Sequence, residues 1–343
     1  MKKLKRILIV FFLISVSLTA KSGQQFAALG NLKLDSGKIL LNCNIGYRTF
    51  GTLNKDSSNV IIYPTWFGGT SAQLTPLIAP GKLVDSTKYF VIAIDALGNG
   101  VSTSPSNSKL QSGKNFPQIT INDMVKAEYR LLTEHFGLHH IFAVIGGSMG
   151  SMQALEWVVS YPDFIDKAVP YAATPRQSSY DLLELNFRLN IIESERELGA
   201  DDKTIQIKLN YITQLFVRTP EYIVNNVPVD NFEEFLNKKV VRKKPSSTFT
   251  IDNYRTQLKA MLAHNIYRNY NNSVDETVEH IKTKIFFIVN KTDHLLNPAP
   301  AIELAKKLNS KLLILENDCG HIGIGCEMKR CSDAIQKFLD TKK

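Results

Sequence analysis

The chain has 343 residues, of which 44% are hydrophobic and 21% are charged, and its formal net charge is +9. This composition is typical of a folded globular protein and excludes a disordered or fibrous chain. Four of the positive charges and none of the negative ones lie in residues 1–20, so the remainder carries +5. That mild charge lacks the strong basic stripe of a dedicated nucleic-acid-binding protein, so we expect no nucleic-acid partner.

Residues 1–20 have the pattern of a secretory signal. They begin with a basic cluster, and the uncharged, mostly apolar residues 7–20 follow it. These fourteen residues are fewer than the ~20 that a membrane-spanning helix needs. The segment therefore predicts export to the periplasm or the exterior, with removal of residues 1–20 and no stable membrane insertion afterwards. An uncleaved N-terminal anchor is the alternative.

After the signal, short apolar or β-branched runs alternate with helical patterns. A β-rich stretch covers residues 38–52, and strands are predicted at residues 60–63, 89–94, 141–145, 167–172, 285–289 and 312–315. Apolar residues at helical spacing predict helices over residues 121–136, after an N-cap at Thr120, and over residues 300–308 and 328–339. Continuous apolar runs of this length are typical of strands that are covered on both faces, and hence of a parallel sheet.

Between residues 174 and 278 the strand-like runs disappear, and polar, helix-forming segments replace them. The alternation of strands and helices resumes after that interruption. We therefore predict a doubly wound, mostly parallel α/β sheet with an inserted helical cap. Residues 21–175 and 276–343 form the predicted core, and residues 176–275 form the predicted cap.

A sharp turn is predicted at Gly146-Gly147-Ser148-Met149-Gly150, between the strand at residues 141–145 and a helical pattern over residues 151–159. A strand, a tight turn and a helix around G-x-S-x-G form a nucleophile elbow, in which the serine side chain projects from the turn. The glycines on either side allow the turn without a Cβ clash. The alternative is a glycine-rich turn whose serine only caps the helix.

Two further residues follow predicted strands and have the chemistry that a serine nucleophile needs. Asp293 follows the strand at residues 285–289, and His321 follows the strand at residues 312–315. A neutral imidazole can take the serine proton, and a carboxylate fixes the tautomer of that imidazole. The order Ser148, Asp293, His321 is that of the α/β-hydrolases, so we predict a catalytic triad and an α/β-hydrolase fold. Asp318 as the acid and His294 as the base are the alternatives.

The oxyanion of an acyl-transfer intermediate needs two preorganised N–H donors. In an α/β-hydrolase, one donor belongs to the residue after the nucleophile and the other to a loop after an earlier strand. We therefore predict the backbone N–H groups of Met149 and Trp66 as the oxyanion hole.

The elbow belongs to a longer pattern that resembles one family. Residues 146–150 and 152–157, together with residues 81–85, 97–100 and 116–125, are similar to the homoserine O-acetyltransferases, the MetX-like α/β-hydrolases. The similarity extends from about residue 46 to the C-terminus and is weakest in the cap. The resemblance implies an acyl-Ser148 intermediate in a ping-pong reaction, and it implies that Arg188 in the cap holds a substrate carboxylate. A solvent-exposed helix arginine is the alternative reading of Arg188.

Two features depart from that family's pattern. The family carries an aspartate after the catalytic histidine that helps to hold the homoserine amine, whereas Ile322 follows His321 here. The predicted signal also directs the chain away from acetyl-CoA and homoserine, which are cytoplasmic metabolites. We therefore expect water to accept the acyl group, in an exported esterase-type hydrolase that needs no cofactor.

The expected partner is a small-molecule acyl ester, and a homodimer is left open as the assembly. Homoserine O-acetyltransfer from acetyl-CoA is the first alternative function. A catalytically silent binding protein on the same fold is the second, and the intact Ser148, Asp293 and His321 argue against it.

The four cysteines fit an oxidising compartment, in which one or two disulfides can form. They are Cys43, Cys319, Cys326 and Cys331. Sequence alone allows three complete pairings. We prefer a bond between Cys319 and Cys326, which would fasten the loop that carries His321. No spacing of cysteine or histidine fits a zinc site, so no metal is expected.

Overall fold

One sheet organises the part of the chain that the structure describes. The protein is represented by a computed structural model that describes residues 22–241 and 248–341, so the predicted signal at residues 1–20 lies outside the described residues. The strands are β1 Gln25–Lys33, β2 Ile39–Phe50, β3 Val60–Pro64, β4 Phe90–Ile94, β5 Ile141–Gly147, β6 Ile165–Tyr171, β7 Lys284–Asn290 and β8 Lys311–Leu315. They lie side by side in the order β1-β2-β4-β3-β5-β6-β7-β8.

The direction of the strands confirms the predicted α/β class. Strands β3 to β8 are paired in parallel, whereas β1 and β2 form an antiparallel edge next to β4. The β-rich stretch predicted at residues 38–52 contains β2. Strand β1 was not predicted, and its pairing with β2 is irregular around Gly30.

Side chains alternate between the two faces of the sheet, and both faces are covered. In β4, Phe90, Ile92 and Ile94 pack into the larger apolar cluster on one face. Val91 and Ala93 pack into a second cluster on the other face. Burial on both faces is the reason that the central strands have continuous apolar sequences.

The predicted helices at residues 121–136, 300–308 and 328–339 are present, and the first continues beyond its α-helical part as a π-helical turn at Leu131–His135. Within the described residues, the helices are α1 Ser71–Leu74, α2 Ile121–Arg130, α3 Met149–Ser160, α4 Ser179–Glu197, α5 Asp202–Val217, α6 Pro220–Asn226, α7 Phe232–Leu236, α8 Ile251–Leu262, α9 Val274–His280, α10 Ala299–Lys307, α11 Gly323–Cys326 and α12 Met328–Leu339. Thr120 caps α2 as predicted, since its hydroxyl accepts the Asp123 N–H at 3.0 Å. No helix in the described ranges is long and apolar enough to cross a membrane.

The segment between β6 and β7 is helical and contains α4 to α9. The range that the sequence analysis assigned to a cap, residues 176–275, includes α4 to α8 and the start of α9. Within it, α4 packs against α5 and α8. Its residues 242–247 lie outside the described part.

A buried polar contact attaches α3 to α2. Trp157 on α3 is fully buried, and its indole Nε1 donates to Oε2 of Glu128 on α2 at 2.6 Å. Burial raises the pKa of Glu128 to about 8, although the hydrogen bond from Trp157 opposes the shift. The carboxyl group is therefore largely protonated at neutral pH, because the buried site disfavours its charged form.

We predict that ionisation of Glu128 destabilises the wild type as the pH rises, and that Glu128→Gln removes this loss of stability. The pKa of Glu128 in the folded protein, about 8, lies above its ordinary value of 4.5. The contribution of Glu128 to the free energy of unfolding is therefore fully present below pH 4.5 and is lost as the pH rises towards 8. An amide does not ionise and still accepts the Trp157 N–H. Between about pH 5 and about pH 8, the free energy of unfolding in urea should fall by ~3 kcal/mol more in the wild type than in the variant.

The exposed Glu279 provides the matched control. Glu279→Gln should keep the pH dependence of the wild type. The prediction is wrong if Glu128→Gln also keeps it.

Candidate active site

Ser148 lies on a tight turn between β5 and α3. Its backbone has φ 55° and ψ −124°, a conformation that a residue with a side chain adopts only when its surroundings hold it there. A Cβ on Gly146 would lie 2.1 Å from the carbonyl oxygen of Gly150, and one on Gly147 would lie 2.0 Å from the ring of Tyr171. The Ser148 side chain makes no capping hydrogen bond to α3, so the capping alternative is wrong. The turn has the geometry of a nucleophile elbow.

Three side chains from separate strand ends form a hydrogen-bonded chain. His321 Nε2 lies 2.9 Å from Ser148 Oγ, and His321 Nδ1 lies 2.8 Å from Asp293 Oδ2. The other carboxylate oxygen of Asp293 accepts the N–H groups of Leu295 and Leu296 at 2.9 and 3.0 Å. A carboxylate at Nδ1 favours the tautomer that is protonated there, which leaves Nε2 able to accept the serine proton.

Neither alternative residue takes part in this chain. The Nδ1 atom of His321 is bound by Asp293 rather than by Asp318. The contact of Asp318 with the helical segment is through its backbone carbonyl, which accepts the Thr219 hydroxyl at 2.6 Å. The imidazole beside Ser148 belongs to His321, and His294 makes no such contact among the described residues. The structure therefore brings Ser148, Asp293 and His321 together.

The loop that carries His321 is held at both ends. A disulfide joins Cys319 to Cys326, which confirms the preferred pairing. Asn290, at the end of β7, donates from Nδ2 to the carbonyl of Gly320 at 2.8 Å. The remaining cysteines are buried and free, namely Cys43 and Cys331. His321 is thus presented by a short, cross-linked loop.

Gln153 connects the two segments that were predicted to form the oxyanion hole. The Met149 N–H is the first of α3, so it has no acceptor one turn earlier in the helix. Trp66 lies in the loop after β3 and lines the cavity in front of the elbow. The Gln153 amide donates to the carbonyls of Thr65 and Met149 at 3.0 and 3.2 Å, which holds that loop against α3. The oxyanion roles of Met149 and Trp66 stay a prediction.

This role of Gln153 was not predicted from the sequence. The signal in the sequence was a lone glutamine between the apolar residues Met152 and Ala154, and the structure shows that it is fully buried. Buried polar side chains need hydrogen-bond partners, so a glutamine at that position indicates a tertiary contact.

A cavity of about 410 Å³ lies in front of Ser148. Apolar atoms make up most of its exposed wall, although half of the lining residues are polar, and α4, α5 and α8 supply part of it. The described residues that line it are Trp66, Phe67, Gly68, Thr70, Gln73, Asn99, Ser148, Leu185, Arg188, Gln206, Asn210, Thr213, Thr248, Phe249, Tyr254, Leu258, Met261 and Leu295. A concave, largely apolar site with a few polar groups is typical of small-molecule binding. In the described ranges, no group of three or more histidine, cysteine, aspartate or glutamate side chains could hold a metal ion.

Arg188 is buried in the cavity wall and is 4% exposed, so the reading of a solvent-exposed arginine is wrong. Its Nη1 donates to the Tyr254 hydroxyl at 2.8 Å and to the Thr213 hydroxyl at 2.9 Å, and its Nε donates to Glu184. Burial disfavours the charged guanidinium, but Tyr254 and Glu184 outweigh that effect and raise the pKa of Arg188. Glu184 was not anticipated from the sequence. Burial raises its pKa, and Arg188 opposes that shift.

The mostly parallel sheet and the serine elbow define the α/β-hydrolase class. Residues 59–325, well over half of the chain, match the family described as the alpha/beta hydrolase fold. The chain therefore belongs to the alpha/beta hydrolase fold family.

Within that family, the resemblance to the homoserine O-acetyltransferases is confirmed. The homoserine O-acetyltransferase of Methanococcus vannielii is 30% identical over 362 residues, which cover 92% of this chain and 72% of that protein. An ethyl acetate hydrolase of Pseudomonas veronii is 38% identical over 174 residues, 50% of each chain. The chain spans about half the length of this hydrolase and of several other curated relatives that it matches.

The solved structure of the acetyl esterase MekB has the same fold. It superposes with a TM-score of 0.85 at 26% sequence identity, over 93% of this chain and 97% of that one. The relatives therefore include both acyl hydrolases and acyltransferases.

We predict that the double variant Cys319→Ser, Cys326→Ser loosens the loop of His321. Removing a cross-link that closes so short a loop should lower the free energy of unfolding by ~2 kcal/mol. The reaction of Ser148 with a fluorophosphonate, followed by mass spectrometry, should slow about tenfold because the base is less well placed.

Cys331→Ala is the control, since this buried cysteine is not in a disulfide. It should leave the rate of modification unchanged. An unchanged rate in the double variant would contradict a positioning role for the disulfide.

Proposed function

We propose that the protein is an esterase-type acyl hydrolase that works through an acyl-Ser148 intermediate on a small-molecule ester. The observation that carries the proposal is the hydrogen-bonded chain from Asp293 through His321 to Ser148, at an elbow that opens into a largely apolar cavity. The activities for which the ethyl acetate hydrolase of Pseudomonas veronii and the acetyl esterase MekB are named support a short acyl group.

In the first half of the proposed reaction, Ser148 Oγ attacks the ester carbonyl while its proton passes to His321 Nε2. Asp293 keeps the imidazole oriented and stabilises the imidazolium. The N–H groups of Met149 and Trp66 stabilise the oxyanion. The bond to the alcohol oxygen then breaks, and His321 returns its proton to that oxygen, which leaves the acyl group on Ser148.

In the second half, water takes the place of the departed alcohol. His321 Nε2 removes a proton from the water as its oxygen attacks the acyl carbon. The second tetrahedral intermediate collapses, the proton passes to Ser148 Oγ, and the carboxylic acid leaves. Atoms balance with ester and water alone, so no cofactor is consumed.

Homoserine O-acetyltransfer is the second candidate function. It is favoured by the 30% identity to the Methanococcus vannielii enzyme over 92% of this chain and by the placement of Arg188 in the cavity wall. In that reaction the homoserine hydroxyl would replace water in the second half. Ile322, where that family has an aspartate, leaves one partner of the homoserine amine missing and favours hydrolysis.

We predict that the purified chain hydrolyses p-nitrophenyl acetate and that Ser148→Ala lowers kcat by about 10⁴-fold or more, because the nucleophile is lost. Ser36→Ala, at an exposed turn between β1 and β2, is the matched control and should retain the wild-type rate. Acetyl-CoA with homoserine should be turned over more slowly than the ester. Faster turnover of that pair would replace the esterase proposal by the acetyltransferase one.

We also propose that the protein is exported and that residues 1–20 are removed. The basic and apolar pattern of that segment supports this, as does the disulfide, which persists in oxidising compartments. N-terminal sequencing of the protein from the periplasm or culture medium of a bacterial host should begin after residue 20. Recovery of the full-length chain from the cytoplasm alone would contradict export.

A further inference from the structure

The cavity wall contains a buried ion pair on one helix. Arg188 and Glu184 are one turn apart on α4, and they are 4% and 3% exposed. The guanidinium Nε donates to Oε1 of Glu184. Arg188 is the one charged side chain among the described residues that line the cavity. The ion pair therefore determines the net charge that a substrate meets at this wall.

Both members keep one polar atom that has no hydrogen-bond partner. Among the described residues, Nη2 of Arg188 and Oε2 of Glu184 are buried and unpaired. The hydroxyls of Tyr254 and Thr213 already occupy Nη1. Buried donors without partners are costly, and Arg188 lines the cavity, so a bound molecule whose oxygen atom reaches Nη2 would relieve that cost.

The charge of Glu184 determines which kind of oxygen atom can accept a hydrogen bond from Arg188 Nη2. A lone guanidinium would attract a carboxylate, but here a carboxylate already lies against it. An anionic substrate would lose its hydration and gain little net attraction from the neutral pair. A carbonyl, ether or hydroxyl oxygen loses much less hydration and can still accept the Nη2–H.

We propose that Glu184 is a specificity-determining residue that makes the site select esters that are uncharged where they reach Arg188, and reject anionic half-esters. This inference rests on the proposed esterase function. It differs from the expectation that Arg188 holds a substrate carboxylate, because the neighbouring glutamate already neutralises the arginine.

The test compares neutral and anionic esters of matched shape. One pair is methyl 4-acetoxybutanoate and the 4-acetoxybutanoate anion, which differ on the alcohol side. The other pair is diethyl succinate and the monoethyl succinate anion, which differ on the acyl side. Initial rates of acetate release in the first pair and of ethanol release in the second give kcat/KM for the ester bond compared, and the neutral-to-anion ratio cancels any general loss of activity.

The purified wild type should favour the neutral ester by about tenfold or more in at least one pair. In that pair, Glu184→Gln should lower the ratio by about tenfold or more, because the glutamine still accepts the Arg188 Nε–H but leaves the guanidinium charge uncompensated. The double variant Glu184→Gln, Arg188→Gln should return towards the wild-type ratio, since the effect requires the arginine charge.

Glu193→Gln is the matched control. This glutamate also lies on α4 and pairs with an arginine, Arg255, but it is outside the cavity and its side chain is 41% exposed. The neutral-to-anion ratio of kcat/KM in Glu193→Gln should equal that of the wild type.

A failure of the proposed esterase function can be distinguished from a failure of the role proposed for Glu184. If the wild type hydrolyses neither these esters nor p-nitrophenyl acetate, the proposed function is wrong and this inference falls with it. If the wild type hydrolyses esters but favours the anions, only the inference is overturned, and that result needs no variant. An unchanged ratio in Glu184→Gln, or a shift that persists in the double variant, also overturns the role of Glu184.

Discussion

The site depends on the parallel direction of the central strands. Because β3, β5, β7 and β8 are parallel, their carboxyl ends meet at one edge of the sheet. Each end leads into one residue of the site, namely Trp66, Ser148, Asp293 and His321 in that order. Strand β5 lies between β3 on one side and β6, β7 and β8 on the other. Ser148 is therefore flanked by His321 and Asp293 on one side and by the Trp66 loop on the other.

The edge of the sheet supplies reactive groups, while the helical segment between β6 and β7 supplies the groups that can distinguish ligands. Leu185, Arg188 and Tyr254 all come from that segment and line the cavity in front of Ser148. The two sets belong to different parts of the chain. Related proteins can therefore keep one reaction and change its substrate by altering these helices.

Local patterns in the sequence were sufficient to predict the central strands, the elbow, and Asp293 and His321, which complete the hydrogen-bonded chain with Ser148. Strands buried on both faces have continuous apolar sequences. The elbow glycines are required by close contacts, of Gly146 with Gly150 within the turn and of Gly147 with Tyr171 on β6. Strand β1 lacked such a pattern, because its exposed positions mix apolar residues such as Phe26 and Ala28 with polar ones such as Asn31 and Lys33. Its register also shifts on both sides of Gly30. The signal at residues 1–20 and the oxyanion roles stay predictions.

The buried position of Glu184 could not be predicted from the sequence, for a different reason. A glutamate four residues before an arginine on a helix is usually a solvated surface pair. Here the packing of α5 and α8 against α4 buries it, with Thr213 and Tyr254 closing over the arginine. Such burial is a tertiary property, so no spacing within α4 could have indicated it.

The contact between Gly147 and Tyr171 has a consequence for the evolution of this fold. The two residues are direct neighbours on β5 and β6, and the tyrosine ring fills the volume that a side chain at position 147 would need. The ring is itself fixed, because its hydroxyl lies 2.7 Å from that of Tyr63 on β3. Two positions that share one fixed volume cannot both be large. Homologues that carry a side chain at position 147 should therefore carry a smaller residue at position 171. The residue types at these two positions should covary among homologues.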